Sequence, residues 1–267
     1  MSITCVTVGK LSYLTADNIG VPHCFTTRLG GVSQGYLASM NIGTHRGDDP
    51  ENVRKNYEIL ASALGFDTRS LVLTHQTHTD RVLQVGKPEH GAGLFAPELP
   101  ECDALITNEP GTALVIFTAD CTPVLLHDPV TGAVGAAHAG WRGTAAGIAA
   151  KTVQAMCDAY GCKAENIRAA IGPNIAQCCF ETHADVPQKM IESLGMAAKS
   201  YIRKQGEKYY VNLKAINALW LNRAGVQDVE ISHVCTACNP ELFWSYRRVG
   251  NARGSQGAII LCKEEAV

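Results

Sequence analysis

Residues 115–148 read VIFTADCTPVLLHDPVTGAVGAAHAGWRGTAAGI. Apolar runs at 113–117 and 124–126 flank Thr118-Ala119-Asp120-Cys121, and a third run at 133–137 leads into His138-Ala139-Gly140-Trp141-Arg142-Gly143. Runs this short, bounded by turn formers, have the length of buried strands. The alanine-rich pattern from 143 to 160 then predicts one helix, stopped by Gly161. Cys121 and His138 therefore both fall where a strand meets a turn, and a rigid sheet presents reactive groups at such junctions.

Upstream, 3–8 and 11–14 predict a hairpin around Gly9-Lys10, and 19–27 a third strand ending in Thr27-Arg28-Leu29-Gly30-Gly31-Val32-Ser33. Asp48 or Asp49 caps a helix that has Pro50 in its first turn and runs to Leu64, with Gly65 closing it. Strands follow at 71–73, 82–85, 102–107 and 112–117, with 86–100 a loop. Downstream, strands are predicted at 167–171, 209–211, 229–232 and 257–262, and helices at 183–194 and 213–224. The segment 196–208 is polar and basic, which predicts an exposed stretch. Short strands mixed with helices predict an α/β (α+β) fold with at least one mixed sheet. With no repeat or linker, 1–267 reads as a single domain.

The composition bounds the function. Of 267 residues, 46% are hydrophobic and 18% charged, enough for a sizeable core. A net charge of −2 without long runs of one sign gives no footprint for nucleic acid or a membrane surface, so a small molecule is the expected partner. No apolar run approaches the ~18 residues of a membrane span, and the first twenty residues do not read as a signal peptide. A cytoplasmic protein is expected. Its 11 cysteines then stay reduced, and Cys5, Cys24, Cys157, Cys162 and Cys262 read as packing thiols.

Cys121 and His138 support two chemistries. A histidine can activate a cysteine nucleophile, or the two can ligate zinc, with His78 of Thr74-His75-Gln76-Thr77-His78 as a third ligand and a fourth position open. Spacing alone does not choose between them, nor against a buried thiol with hydrogen-bonded histidines. His233-x-Cys235-x-x-Cys238 is a rival with metal-knuckle or redox spacing, but no second Cys-x-x-Cys completes it. Cys178-Cys179 read as buried thiols. Arg28, Arg142 and Arg247 are candidate oxyanion grips, Arg28 alternatively a surface residue of its turn. Arg142 at a helix start opposes the macrodipole, and Asp120 is the candidate compensating acid or else a turn residue. Asn41 and His45 either reach a site or fix their own loop, and Tyr246 offers a ring and a hydroxyl.

The motifs Leu73-Thr74-His75-Gln76-Thr77-His78, Thr118-Ala119-Asp120-Cys121-Thr122-Pro123-Val124, Ala137-His138-Ala139-Gly140-Trp141-Arg142-Gly143 and Phe243-Trp244-Ser245-Tyr246-Arg247-Arg248 resemble those of the laccase-domain family. It is also called the multicopper polyphenol oxidoreductase family, or the purine nucleoside phosphorylase family of the bacterial YfiH/YlmD type. The resemblance implies a layered αββα sandwich similar to cytotoxic necrotizing factor-type deamidases. It also implies zinc on His78, Cys121 and His138, and phosphorolysis of adenosine, inosine, guanosine and methylthioadenosine with deamination of adenosine. Arg142 joins the metal ligands as a catalytic candidate. Arg28, Asn41, His45, Tyr246 and Arg247 are candidates for purine nucleoside and phosphate, and a monomer or weak homodimer is expected. Trp244 departs from the phenylalanine the family often carries. Two alternatives are a copper-dependent polyphenol oxidase and a Cys/His hydrolase that edits cell-wall precursors. Nine histidines and no His-x-His do not suffice for a multicopper centre, although one His2Cys site can take copper.

Overall fold

The computed structural model describes residues 3–263. In chain order the strands and helices are β1 (Ile3–Val8), β2 (Leu11–Ala16), β3 (His23–Thr26), α1 (Pro50–Leu64), β4 (Leu71–Leu73), β5 (Val82–Gln84), β6 (Ala104–Thr107), β7 (Ala113–Thr118), β8 (Thr122–His127) and β9 (Val134–Ala139). They continue with α2 (Trp141–Ala145), α3 (Ile148–Tyr160), β10 (Arg168–Ile171), β11 (Glu181–Thr182), α4 (Asp185–Leu194), β12 (Ile202–Gln205), β13 (Lys208–Val211), α5 (Leu213–Arg223), β14 (Asp228–Ile231), α6 (Tyr246–Val249) and β15 (Gln256–Leu261).

Two six-stranded sheets form the middle layers. One has the order β1-β2-β3-β15-β7-β4, the other β14-β10-β8-β9-β6-β5. Both are mixed: β4 with β7, β5 with β6 and β10 with β14 run parallel, and the other pairs run antiparallel. Between the sheets Leu14, Phe25, Leu114 and Ile116 of the first meet Leu105, Leu125, Ala136 and Ala170 of the second. On its other face the first sheet packs Tyr13, Val115 and Ile259 against Val53, Tyr57 and Leu60 of α1. The outer face of the second packs Val124, Ala137 and Ala169 against Ile148, Val153 and Met156 of α3 and Leu221 of α5. The layers are therefore αββα in a mixed α/β single domain. Strands covered on both faces must be apolar throughout, which is why β8 and β9 read as continuous runs. A small sheet, β11-β13-β12, lies beside α4 over its own apolar cluster. Among the described residues no helix is long and apolar enough to cross a membrane.

Helix α1 follows its sequence signals. The Asp49 carboxylate accepts the Glu51 N–H, and Gly65 closes the helix at φ +76°. The single helix expected over 143–160 is instead two. Gly147 sits at φ +76°, and a Cβ there would lie 3.3 Å from the Trp220 ring, whose Nε1 donates to the Thr144 carbonyl. Alanine propensity does not register that distant tryptophan. The strand expected over 19–27 is confined to β3, because Pro22 offers no N–H for the ladder. Residues expected to be a plain exposed stretch, 196–208, include β12 and the buried Ala198.

Candidate metal and substrate site

Two loops and one strand end bring the three candidate ligands together. Cys121 closes the turn between β7 and β8, where Asp120 is left-handed at φ +96°. That strained turn is held by the Asp120 carboxylate, which accepts from the Thr236 hydroxyl (2.6 Å), the Ser245 hydroxyl (2.9 Å) and the Arg247 N–H (2.7 Å). His138 is the next-to-last residue of β9 and is buried. His78 lies in the loop after β4, also left-handed at φ +64°.

One carboxylate arranges both histidines. Asp103, fully buried just before β6, lies with Oδ1 2.7 Å from His138 Nδ1. It also accepts the backbone N–H groups of Thr77, His78 and Thr79 and the Thr79 hydroxyl. With Nδ1 engaged, His138 turns Nε2 towards Cys121. The His78 and His138 rings meet edge to face at 5.0 Å. Cys121 Sγ is 3.8 Å from His78 Nε2, and the three candidate ligand atoms all lie within 4.8 Å of one another. Only glycine fits at 140: a Cβ there would come 2.7 Å from His78 Cδ2 and 3.3 Å from Cys121 Sγ.

The electrostatics suit a thiolate. Burial pushes the Cys121 thiol up, but His138 and His78 outweigh it and bring it down to about 6. Burial alone would lower His138, yet Cys121 and Asp103 raise it to about 9. Asp103 is held below the usual carboxylate range: burial opposes this, and His138 and the Thr79 donors overcome it. The donor set also fits a zinc ion. It comprises one thiolate and two imidazole nitrogens, with the second nitrogen of His138 on a carboxylate, as metal-bound histidines commonly are. A tetrahedral zinc centre separates its ligand atoms by about 3.5 Å, close to the Cys121–His78 distance.

These residues line a cavity of about 870 Å³ with Phe117, Trp141, Phe180, Tyr246, Glu181 and Asp185. The size suits a small organic molecule. Four arginines, Arg46, Arg142, Arg247 and Arg253, also line it. Arg253 donates to the Gly254 carbonyl (3.0 Å), while its Nε is buried without a partner. Burial, together with the like charge of Arg46, lowers Arg253 to about 10. A desolvated guanidinium facing another arginine calls for an anion.

The candidates read from sequence divide. His78, Cys121 and His138 converge, and His45, Arg142, Tyr246 and Arg247 line the same cavity. Arg28 does not line it: its guanidinium donates to the carbonyls of Ala38 and Pro240 and stacks over Trp244 at 5.1 Å. Asn41 is fully buried, donating to Asp48 and the Gly43 carbonyl and accepting from the N–H groups of Gly43 and Ser255. Both therefore fix loops. His45 is paired with Glu98. The Arg247 guanidinium donates to the carbonyls of Cys179 and Glu181 and thus anchors the cavity wall. Asp120 does not compensate Arg142, which instead stacks on Trp141 at 4.3 Å. Cys5 and Cys178 are exposed, so these two are not the packing thiols expected, and Cys157 and Cys179 are only half-buried. Sequence reasoning missed Asp103, Arg46 and Arg253. Asp103 left one signal, an acid inside the apolar stretch Cys102-Asp103-Ala104-Leu105-Ile106.

The model of the family described as multi-copper polyphenol oxidoreductase laccase matches residues 22–263. The chain is 38% identical over 255 residues to the purine nucleoside phosphorylase of Deinococcus radiodurans, covering 96% of this chain and 94% of that one. It is 35% identical over 247 residues to the purine nucleoside phosphorylase YlmD of Bacillus subtilis, covering 90% and 88%. The crystal structure of YlmD from Geobacillus stearothermophilus superposes with a TM-score of 0.92 at 34% identity, covering 98% of this chain and all of that one.

Proposed function

The chain belongs to the multi-copper polyphenol oxidoreductase laccase family, and from that premise we propose that it is a zinc-dependent purine nucleoside phosphorylase that also deaminates adenosine. The observation that carries this reading is one cavity holding both the His78/Cys121/His138 set and the arginines Arg46 and Arg253. The laccase label is the name of the family. The His2Cys set here is not the array of paired histidines a multicopper oxidase needs.

His78, Cys121 and His138 would hold the ion, which supplies positive charge and Lewis acidity beside the reacting groups. Asp103 keeps the proton on His138 Nδ1 and leaves the Nε2 lone pair free. Arg46 and Arg253 hold phosphate by charge. A phosphate oxygen attacks ribose C1′, the bond from C1′ to the base nitrogen breaks, and the base leaves with the electron pair. The base takes the proton that acid phosphate brought, so ribose 1-phosphate and free base result. Phe117, Trp141 and Tyr246 offer flat apolar surface to the base. In deamination, water attacks purine C6 and the amino group leaves as ammonia.

The same reading puts the enzyme in a reducing cytoplasm, consistent with eleven free cysteines. Purified protein loaded with zinc is incubated with adenosine and phosphate. Adenine and ribose 1-phosphate are expected, with inosine and hypoxanthine from deamination. Absence of turnover sinks the reading. Oxidation of phenols by copper-loaded protein, without nucleoside turnover, replaces it with the copper oxidase.

A further inference from the structure

The sequence leaves His233-x-Cys235-x-x-Cys238 short of ligands, and the fold supplies them. The chain after β10 carries Cys178 and Cys179 to the loop after β14, where Cys235 and Cys238 lie. All four sulfurs fall within 4.8 Å of one another. Cys179 is 3.4 Å from Cys238, and Cys178 is 3.7 Å from both Cys238 and Cys179. A tetrahedron with Zn–S bonds of about 2.3 Å has edges of about 3.8 Å. The sulfurs are unbonded to one another and are spaced so that they could hold one metal ion. His233 is not among them.

The surroundings of Cys235 favour negative charge on its sulfur. The Ala176 N–H donates to Cys235 Sγ at 3.3 Å. Lys214 is a buried lysine whose ammonium donates to the carbonyls of Ser232 and Val234, 2.7 Å each. Burial lowers it to about 8, and the groups that oppose this are Cys235 and Cys178. Four thiolates around a divalent ion carry net negative charge, which a buried ammonium offsets.

We propose that Cys178, Cys179, Cys235 and Cys238 bind a second metal ion, zinc, in a closed tetrathiolate site distinct from the His78/Cys121/His138 set. With four protein ligands it has no open position and serves structure, not chemistry. It ties two loops that build the cavity. Next to Cys179, Phe180 and Glu181 line the cavity wall, and next to Cys235 the Thr236 hydroxyl holds Asp120, the neighbour of Cys121.

The test is zinc content per chain, measured by elemental mass spectrometry on protein purified without chelator or added copper. Wild type is expected to hold about two equivalents. The double variant Cys178→Ser/Cys238→Ser loses one, and His78→Ala/Cys121→Ala loses the other. In cobalt-exchanged protein the thiolate-to-metal absorption stays strong in the second variant and largely disappears in the first. A single equivalent in wild type, abolished by His78→Ala/Cys121→Ala, overturns the proposal. If the serine variant does not fold, wild type decides: zinc must shield Cys178 and Cys238 from an alkylating reagent, read by peptide mass spectrometry. Labelling that ignores zinc, or a disulfide among the four in protein isolated under reducing conditions, overturns it.

Discussion

Asp103 Oδ1 lies 2.7 Å from His138 Nδ1, and the same carboxylate accepts the N–H of His78. One buried acid thus sets the orientation of one candidate ligand and the backbone of another. Its geometry is that of the carboxylate–histidine pairs that support metal ions. Asp103→Asn keeps the shape but turns an acceptor into a partial donor facing three N–H groups. Zinc affinity and nucleoside kcat/KM are both expected to fall by about 10–100-fold. Chelator competition and steady-state kinetics measure this, and unchanged zinc affinity would remove the role assigned to Asp103.

In metal-stripped protein the thiol of Cys121 should titrate far below an ordinary cysteine. Burial raises it, and the imidazoles of His138 and His78 bring it to about 6, while His138 rises to about 9. The signs follow. The depressed thiol stabilises the fold above its unfolded value, and that stabilisation fades as pH falls through about 6. The raised imidazole stabilises below its unfolded value, and that is lost as pH rises through about 9. Both describe one ion pair, so they are not summed. The pair is intact between about 6 and about 9. Alkylation of Cys121 should therefore rise through about pH 6. His138→Ala should move that midpoint upward, and a wild-type midpoint near that of free cysteine would contradict the geometry.

Arg253 and Arg28 should behave oppositely. Arg253→Met removes a half-buried cation, its Nε buried without a partner, beside Arg46. The KM for phosphate is expected to rise at least about 10-fold, with stability unchanged or improved, since the variant relieves a desolvated charge. Arg28→Met leaves the carbonyls of Ala38 and Pro240 without their donors. Stability is expected to fall by about 1–3 kcal/mol with phosphate KM little changed. Denaturant melts and phosphate titrations distinguish the two. A phosphate defect in Arg28→Met without destabilisation would return that residue to the site.

What the chain discloses in one dimension follows from what is local. The strands of residues 115–148 are legible because burial on both faces forces continuous apolar runs, and α1 is legible because its cap, proline and glycine are adjacent in sequence. The break falls at Gly147, left-handed at φ +76°, and the Trp220 ring it packs against lies more than seventy residues on, out of reach of local propensity. In the site, Cys121 and His138 stand out as polar groups at strand ends, and His78 joins them chiefly through family motifs. Arg253 carries no pattern in Asn251-Ala252-Arg253-Gly254, and only its orphaned nitrogen marks it. The Cys235/Cys238 pair looked incomplete because its partners lie some sixty residues upstream, at Cys178 and Cys179.

Gly140 gives the sharpest steric test of the candidate metal centre. It lies between His138 and the start of α2, away from the β7–β8 turn and the His78 loop that it touches. A methyl group there would press to 2.7 Å on His78 Cδ2 and 3.3 Å on Cys121 Sγ. The backbone of Gly140 is in the extended region at φ −63°, so alanine brings no conformational strain. The damage in Gly140→Ala must therefore be confined to the meeting of His78 and Cys121. Relief requires His78 to move away from Cys121, and moving its loop would strain the N–H bonds to Asp103. Zinc affinity and nucleoside turnover should both drop by at least about 10-fold, with the melting temperature of the metal-stripped protein within a few degrees of wild type. Chelator competition, kinetics and calorimetry on one preparation decide it. Full activity in Gly140→Ala would mean that His78 and Cys121 need not approach each other for the reaction.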